Sequence, residues 1–150
     1  PKTEFHVLGE IDTQNPSAIQ KETLQSWIND GIIIYHEHAK DTRPFICAAD
    51  CVVLPSYREG MPRVILEGMA MGKPCITSDA PGCKDSVIDG DSGFICKTAD
   101  SQSLANAMQT FILLSKDDKV KLGINARKRA ENVFSSIYIN DIYLHITENL

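Results

Sequence analysis

Two carboxylates, Glu59 and Glu67, bracket a turn and the start of a helix, and their spacing is where chemistry is first expected in this chain. Between them, Gly60 lets the backbone approach a ligand closely, Met61 follows, and Pro62 suits the N1 position of a helix. The first amides of a helix lack carbonyl partners and lie at the positive end of its dipole. Those of Arg63 and Val64 are therefore expected to receive a phosphate. With Pro62 at N1, Glu67 lies five residues into the helix, about 7.5 Å along its axis. A carboxylate accepts a pair of hydrogen bonds from a vicinal diol, so two of them around one helix start suit a ligand with two sugar rings, as a nucleotide-sugar has. On the residues alone the alternatives stay open: glycine-bearing strand-to-helix turns have many uses, and Glu67 reads equally as an ordinary helix glutamate.

The elements that must position these groups follow from the apolar pattern. Residues 4–8 alternate and end at Gly9, as a strand leaving into a loop. Ser17 is the expected N-cap of a helix to Asp30, with Ile19, Leu24, Trp27 and Ile28 inward and Gly31 as its stop. Residues 32–35 form a continuous apolar run, expected as a strand covered on both faces, and residues 42–49 form a short helix. Residues 51–55 are the next strand, and the helix opening at Pro62 closes at Gly72. Further strands are expected at 74–77 and 94–96, a short helix at 84–88, and helices at 101–114, 116–132 and 135–150. This alternation implies an α/β fold, a Rossmann-like doubly wound parallel sheet, and the absence of a repeat or linker implies one domain over residues 1–150. In such a sheet the ligand crevice lies beyond the carboxyl ends of the strands, which is where residues 55–61 fall.

Composition narrows the classes. The chain has 150 residues, 43% hydrophobic and 23% charged, as a globular domain does. Fifteen Lys and Arg against 20 Asp and Glu leave a net charge of −5, so there is no global basic field for nucleic acid. No apolar stretch approaches the ~20 residues that span a bilayer, and no signal peptide is read at the N-terminus, so a cytoplasmic place is expected. Five cysteines without a C-x-x-C pair are not a disulfide framework, and Cys47 and Cys51 are expected as buried small hydrophobes. His36 and His38 share one side of an extended segment without a third ligand, so cleft-lining residues are expected rather than a metal site. Arg58 and Arg63 flank the turn, Lys73 is expected to serve the C-terminal dipole of its own helix, and the cations at Lys116, Lys119, Lys121, Arg127, Lys128 and Arg129 are expected as a solvated helix face.

The segments Ala49-Asp50, LPSYREGMPR at 54–63 and EGMAMGKP at 67–74 together resemble the signature of glycosyltransferase family four, the retaining enzymes of GT-B fold. Glu59 and Glu67 match its E-x7-E motif, and TSDAPGCK at 77–84, DGDSGF at 89–94 and Asp100 before Leu104-Ala105 extend the likeness over nearly the whole chain. The version of the motif here is similar to that of enzymes building capsular, O-antigen and related surface glycans. The resemblance implies that Glu67 holds the ribose hydroxyls, that Glu59 faces the donor sugar near its 3-hydroxyl in the catalytic centre, and that Gly60 and Met61 line the sugar pocket through their backbone. It also implies that the amides of Arg63 and Val64 meet the diphosphate, with Pro62 among the donor-binding residues, and that Glu37, His38 and Ala39 pack against the base.

The same resemblance implies a chain that is the donor-binding, C-terminal half of a GT-B fold, truncated at its N-terminus and inactive alone. The diphosphate-gripping Arg and Lys and the acceptor-binding N-terminal domain would lie upstream of Pro1. The expected reaction moves a sugar, with retention and without a metal or other cofactor, from a nucleotide-sugar to an acceptor hydroxyl. A UDP-linked N-acetylhexosamine or galactose is the expected donor and a glycan or lipid-linked molecule the acceptor, at the inner face of the plasma membrane. A sugar-nucleotide epimerase of GT-B fold and a non-catalytic α/β interaction module are the alternatives. Two departures from the family pattern are Gly68 for the usual alanine, at a helix cost of ~1 kcal/mol, and Cys75 for valine. The helix at 135–150 is expected to leave an exposed apolar patch or form a crystal dimer.

Overall fold

The computed structural model describes residues 3–12, 14 and 18–140. It divides into two compact units, residues 1–42 and 43–150, each built on parallel strands. In the first unit β1 (His6–Leu8) pairs in parallel with β2 (Ile34–His36), and α1 (Lys21–Asn29) connects them. Gly31, with φ +66°, donates to the Ile28 carbonyl and ends α1 as its sequence implies. The expected cap, Ser17, lies outside the described residues, and α1 starts at Lys21 with Gln20 as N-cap.

Burial in this unit falls short of the sequence expectation. Leu24 is buried, but Ile19, Trp27, Ile32 and Ile34 are exposed, so the run at 32–35 is not a strand covered on both faces. Two strands and one nine-residue helix supply too few layers to cover both sides of a sheet.

The second unit contains α2 (Arg43–Ala48), β3 (Val52–Leu54), α3 (Arg63–Ala70), β4 (Cys75–Ser78), β5 (Gly93–Cys96), α4 (Ser101–Leu113) and α5 (Lys116–Val133). Its sheet runs β3-β4-β5, all parallel, with Val52 opposite Cys75 and Gly93. Period-two alternation sorts the side chains by face. Val52, Leu54, Cys75 and Ile95 pack with Ile65 and Met69 of α3 and Ala126 and Ala130 of α5. On the other face Val53, Ile76 and Phe94 pack with Leu104 and Phe111 of α4. Every residue of β4 is buried, as a central strand with helices on both sides requires. This is the parallel α/β architecture that the alternating pattern implies.

Local chemistry fixes the boundaries of α3. Gly72, with φ +71°, donates to the Met69 carbonyl at 2.9 Å, and Lys73 N–H donates to that of Gly68 at 2.9 Å, the paired bonds of a Schellman stop. Pro62 is the N-cap, with ψ 93°, rather than the N1 residue, so the helix begins one residue later than expected. Gly68 is a packing residue: a Cβ there would meet Val52 Cγ2 at 2.8 Å and Cys75 Sγ at 3.2 Å, which is why α3 lies so close to β3 and β4.

Other expectations are corrected. Residues 81–86 are successive turns, not a helix at 84–88; Cys83 and Lys84 both donate to the Ala80 carbonyl and Ser86 to that of Cys83, with Gly82 at φ +81° interrupting any helical run. Cys47 is exposed and free rather than buried. Lys73 serves a different helix from the one expected, since its Nζ donates to the Cys47 carbonyl near the end of α2 at 2.7 Å.

The cations of α5 are not simply solvated. Arg127 donates to the Ala70 carbonyl at the end of α3, and Arg129 to those of Asp85 and Ser86. Residues 136–140 are helical and Ser135 precedes the helix, while residues 141–150 of the expected last helix lie outside the described residues. Within the described part Ile137, Tyr138 and Ile139 are all exposed.

Candidate functional site

β3 ends at Leu54, and residues 55–62 carry the chain to α3 beside the carboxyl end of the sheet. Three attachments, two from the end of β4 and one from the turn after it, hold the end of β3 and this loop. Thr77 Oγ1 donates to the Leu54 carbonyl at 3.0 Å, Ser78 Oγ donates to that of Ser56, and Glu59 N–H donates to that of Pro81 at 3.4 Å. Beneath it runs Gly82, where a Cβ would lie 2.3 Å from the Glu59 carbonyl oxygen and 2.4 Å from that of Gly60. Only glycine permits that approach.

Inside the loop Ser56 Oγ donates to Glu59 Oε1 at 2.9 Å, while Tyr57, Arg58 and Met61 are exposed. The Pro62 carbonyl accepts from Ile65 and Leu66 at 3.0 and 3.2 Å. Pro62 supplies no side-chain cap, so among the described residues the Arg63 and Val64 amides are left open at the helix start, as the sequence implies. Because α3 begins at Arg63, Glu67 lies four residues in, about 6 Å along the axis. Its Oε1 is 3.9 Å from Arg63 Nη2, an exposed i,i+4 pair of the weak kind.

The arrangement is a helix start with two open amides and a carboxylate on either side in sequence, Glu59 held by Ser56 and Glu67 beside Arg63. Such a group can receive an anion at the amides and hydrogen-bond hydroxyl groups at the carboxylates.

Two cysteine thiols of this sheet are held in the protonated form by burial. Burial, and next the Asp50 carboxylate, push the Cys51 thiol up to about 12, and burial also pushes Cys75 up. Among the described residues no group of three or more His, Cys, Asp or Glu is placed to hold a metal ion.

Glu37, His38 and Ala39 lie in the first unit, after β2. There the two histidines of this stretch face different partners. The His36 ring stacks on His6, with His6 Nδ1 2.9 Å from His36 Nε2, and His38 Nδ1 is 3.8 Å from Glu10 Oε1. Ser56, Ser78 and Gly82 are the residues that sequence reasoning gave no role. The run at 77–84 was legible as a motif, but its position under Glu59 is a tertiary fact.

Residues 1–113 match the family model described as glycosyl transferases group 1. The chain belongs to this glycosyltransferase family. It is 32% identical over 132 residues to the capsular polysaccharide biosynthesis glycosyltransferase CapM of Staphylococcus aureus, covering 87% of this chain and 33% of that protein. It is 31% identical over 155 aligned positions to the N,N'-diacetylbacillosaminyl-diphospho-undecaprenol alpha-1,3-N-acetylgalactosaminyltransferase of Campylobacter jejuni, covering 99% of this chain and 39% of that protein. The crystal structure of Anabaena Alr3699/HepE in complex with UDP matches 100% of this chain and 42% of its own, with a TM-score of 0.86 and 26% identity. The glycosyltransferase chain therefore spans 33% to 42% of the length of these relatives. Among the described residues no helix is long and apolar enough to cross a membrane.

Proposed function

We propose that this chain is the donor-binding part of a retaining glycosyltransferase that carries a sugar from a nucleotide-sugar to an acceptor hydroxyl during synthesis of capsular or other surface polysaccharide. The observation that carries the reading is the open pair of amides at Arg63 and Val64, set in sequence between Glu59 and Glu67. The likeness to a structure in complex with UDP supports it, and related structures of the same protein were solved with UDP-glucose and with UDP and glucose.

In this reading the diphosphate sits on the two amides, Glu67 accepts from the ribose hydroxyls, and Glu59 accepts from a hydroxyl of the donor sugar, with the backbone of Gly60 and Met61 along the sugar. As the bond from the anomeric carbon to the diphosphate oxygen breaks, negative charge grows on that oxygen. Fixed amides aimed at it stabilise the charge without having to reorganise, and a single such donor is commonly worth about 3 kcal/mol. Glu59 orients the sugar. The donor is UDP-linked, galactose or an N-acetylhexosamine, and the acceptor is a lipid-linked glycan, in line with the printed names of two relatives. The reaction needs no metal or other cofactor, and the enzyme works at the inner face of the membrane.

A thermal-shift panel of UDP, GDP, ADP and their sugars tests the binding. A diphosphate at one hundred times its Kd stabilises by about 2.7 kcal/mol, a rise of roughly 5–10 °C for a chain of this size. No rise with any nucleotide would leave an interaction module as the better reading. Binding accompanied by epimerisation of the hexose, with no transfer to a lipid-linked acceptor, would favour the epimerase.

A further inference from the structure

We infer that Ser56 is a positioning residue for the donor sugar, acting through Glu59; the inference rests on the function proposed above. The geometry gives Ser56 two jobs at once. Its carbonyl accepts from Oγ of Ser78, a fully buried residue at the end of the central strand β4, so its backbone is anchored to the most rigid element of the unit. Its own hydroxyl donates to Glu59 Oε1 at 2.9 Å.

Tyr57 and Arg58 are exposed, whereas Ser56 and Glu59 are half-buried and turned towards each other. The Glu59 backbone is pinned as well, by its bond to the Pro81 carbonyl and by Gly82 against its own carbonyl. An ionised carboxylate only accepts hydrogen bonds, and with Oε1 occupied by Ser56 its Oε2 accepts nothing among the described residues. One oxygen is thus used for alignment and the other is left for a hydroxyl donor from outside.

The energetic role is preorganisation. A glutamate side chain has about 1.5–2 kcal/mol of rotamer freedom to lose when a ligand immobilises it. A hydroxyl that holds it beforehand removes part of that loss from the binding step. The bond touches neither the α3 amides nor Glu67, so its effect belongs to the sugar and not to the nucleoside diphosphate.

The test measures affinity for UDP and for the UDP-sugar that the panel selects, in the wild type, Ser56→Ala, Ser56→Thr, Glu59→Ala and the double variant Ser56→Ala/Glu59→Ala. Recovering part of that rotamer loss is worth about two- to tenfold in affinity. Ser56→Ala is expected to weaken the UDP-sugar by about that factor and to leave UDP within twofold, with Ser56→Thr restoring the difference. In the double variant the serine change should add nothing to Glu59→Ala, as coupled residues require. Equal weakening of both ligands, additivity in the double variant, or no change in Ser56→Ala each overturns the positioning role. A wild type that binds no nucleotide overturns the proposed function itself, a separate outcome.

Discussion

Gly82 lies against the peptide that joins Glu59 to Gly60, so close that a Cβ would come within 2.3 Å of the Glu59 carbonyl oxygen. The contact couples the turn after β4 to the loop after β3. Gly82 also has φ +81°, where a side chain costs about 1–2 kcal/mol. Gly82→Ala therefore combines a backbone penalty with a clash against backbone that cannot swing aside. The expected outcome is a loss of roughly 2–4 kcal/mol by denaturant titration, together with lost UDP-sugar binding. A variant with wild-type stability would show that the turn at 80–82 does not support the loop.

The two glutamates are expected to separate by ligand. In the proposed reading Glu67→Ala removes an acceptor for the ribose hydroxyls, so it should weaken UDP and UDP-sugar alike by about tenfold or more, the scale of a hydrogen bond to a charged group. Glu59→Ala should spare UDP and weaken only the sugar-bearing ligand. Isothermal titration of both ligands reads the difference, and a Glu67→Ala protein that binds UDP as the wild type does would remove the ribose assignment.

Helix propensity alone says that Gly68→Ala should stabilise α3 by ~1 kcal/mol. Packing says the reverse. The new methyl would stand 2.8 Å from Cγ2 of Val52, a stiff β-branched side chain, and 3.2 Å from the buried Cys75 sulfur. Overpacking of this kind costs about 1–3 kcal/mol, so net destabilisation is expected, with recovery when Val52→Ala opens the space. A simple gain in denaturation midpoint for Gly68→Ala would contradict the packing.

These three cases show where the sequence was legible. The E-x7-E spacing, Pro62 and Gly72 announced a helix with an open start, because caps and stops are local chemistry carried by single residues. Parallel strands were legible from alternation with helices. The boundary at Pro62 slipped by one residue because its fixed φ suits the N-cap as well as N1. The contacts of Gly68 and Gly82, the Arg127 bond to Ala70 and the exposure of Cys47 and Ile34 depend on which layers meet, and no local pattern states that.

Cysteine reactivity follows from burial. Cys47 is exposed, whereas Cys75, Cys83 and Cys96 are buried and Cys51 is half-buried with its thiol pushed up to about 12. A thiol reagent at pH 8 is expected to label a single residue quickly in the native protein, and Cys47→Ala should abolish that phase without altering stability. Fast labelling that survives the substitution would place a reactive thiol elsewhere.

Asp79 supplies a pH dependence whose sign is fixed by its partners. The Thr98 hydroxyl and amide both donate to its Oδ1, at 2.5 and 2.7 Å, and hold its carboxyl below the usual range. A carboxylate with a lowered folded-state pKa contributes stability that is fully present above the unfolded value, about 3.9, and is lost as pH falls through the lower folded value. Because Asp79 is exposed, the contribution is modest. An amide at this position still accepts from Thr98 but carries no charge to protonate. Asp79→Asn should therefore lower the melting temperature at pH 7 by a small amount, and the gap to the wild type should close as pH is taken from 5 to below 3. A gap that stays constant over that range would mean that the Thr98 bonds do not distinguish the ionised group from the neutral one.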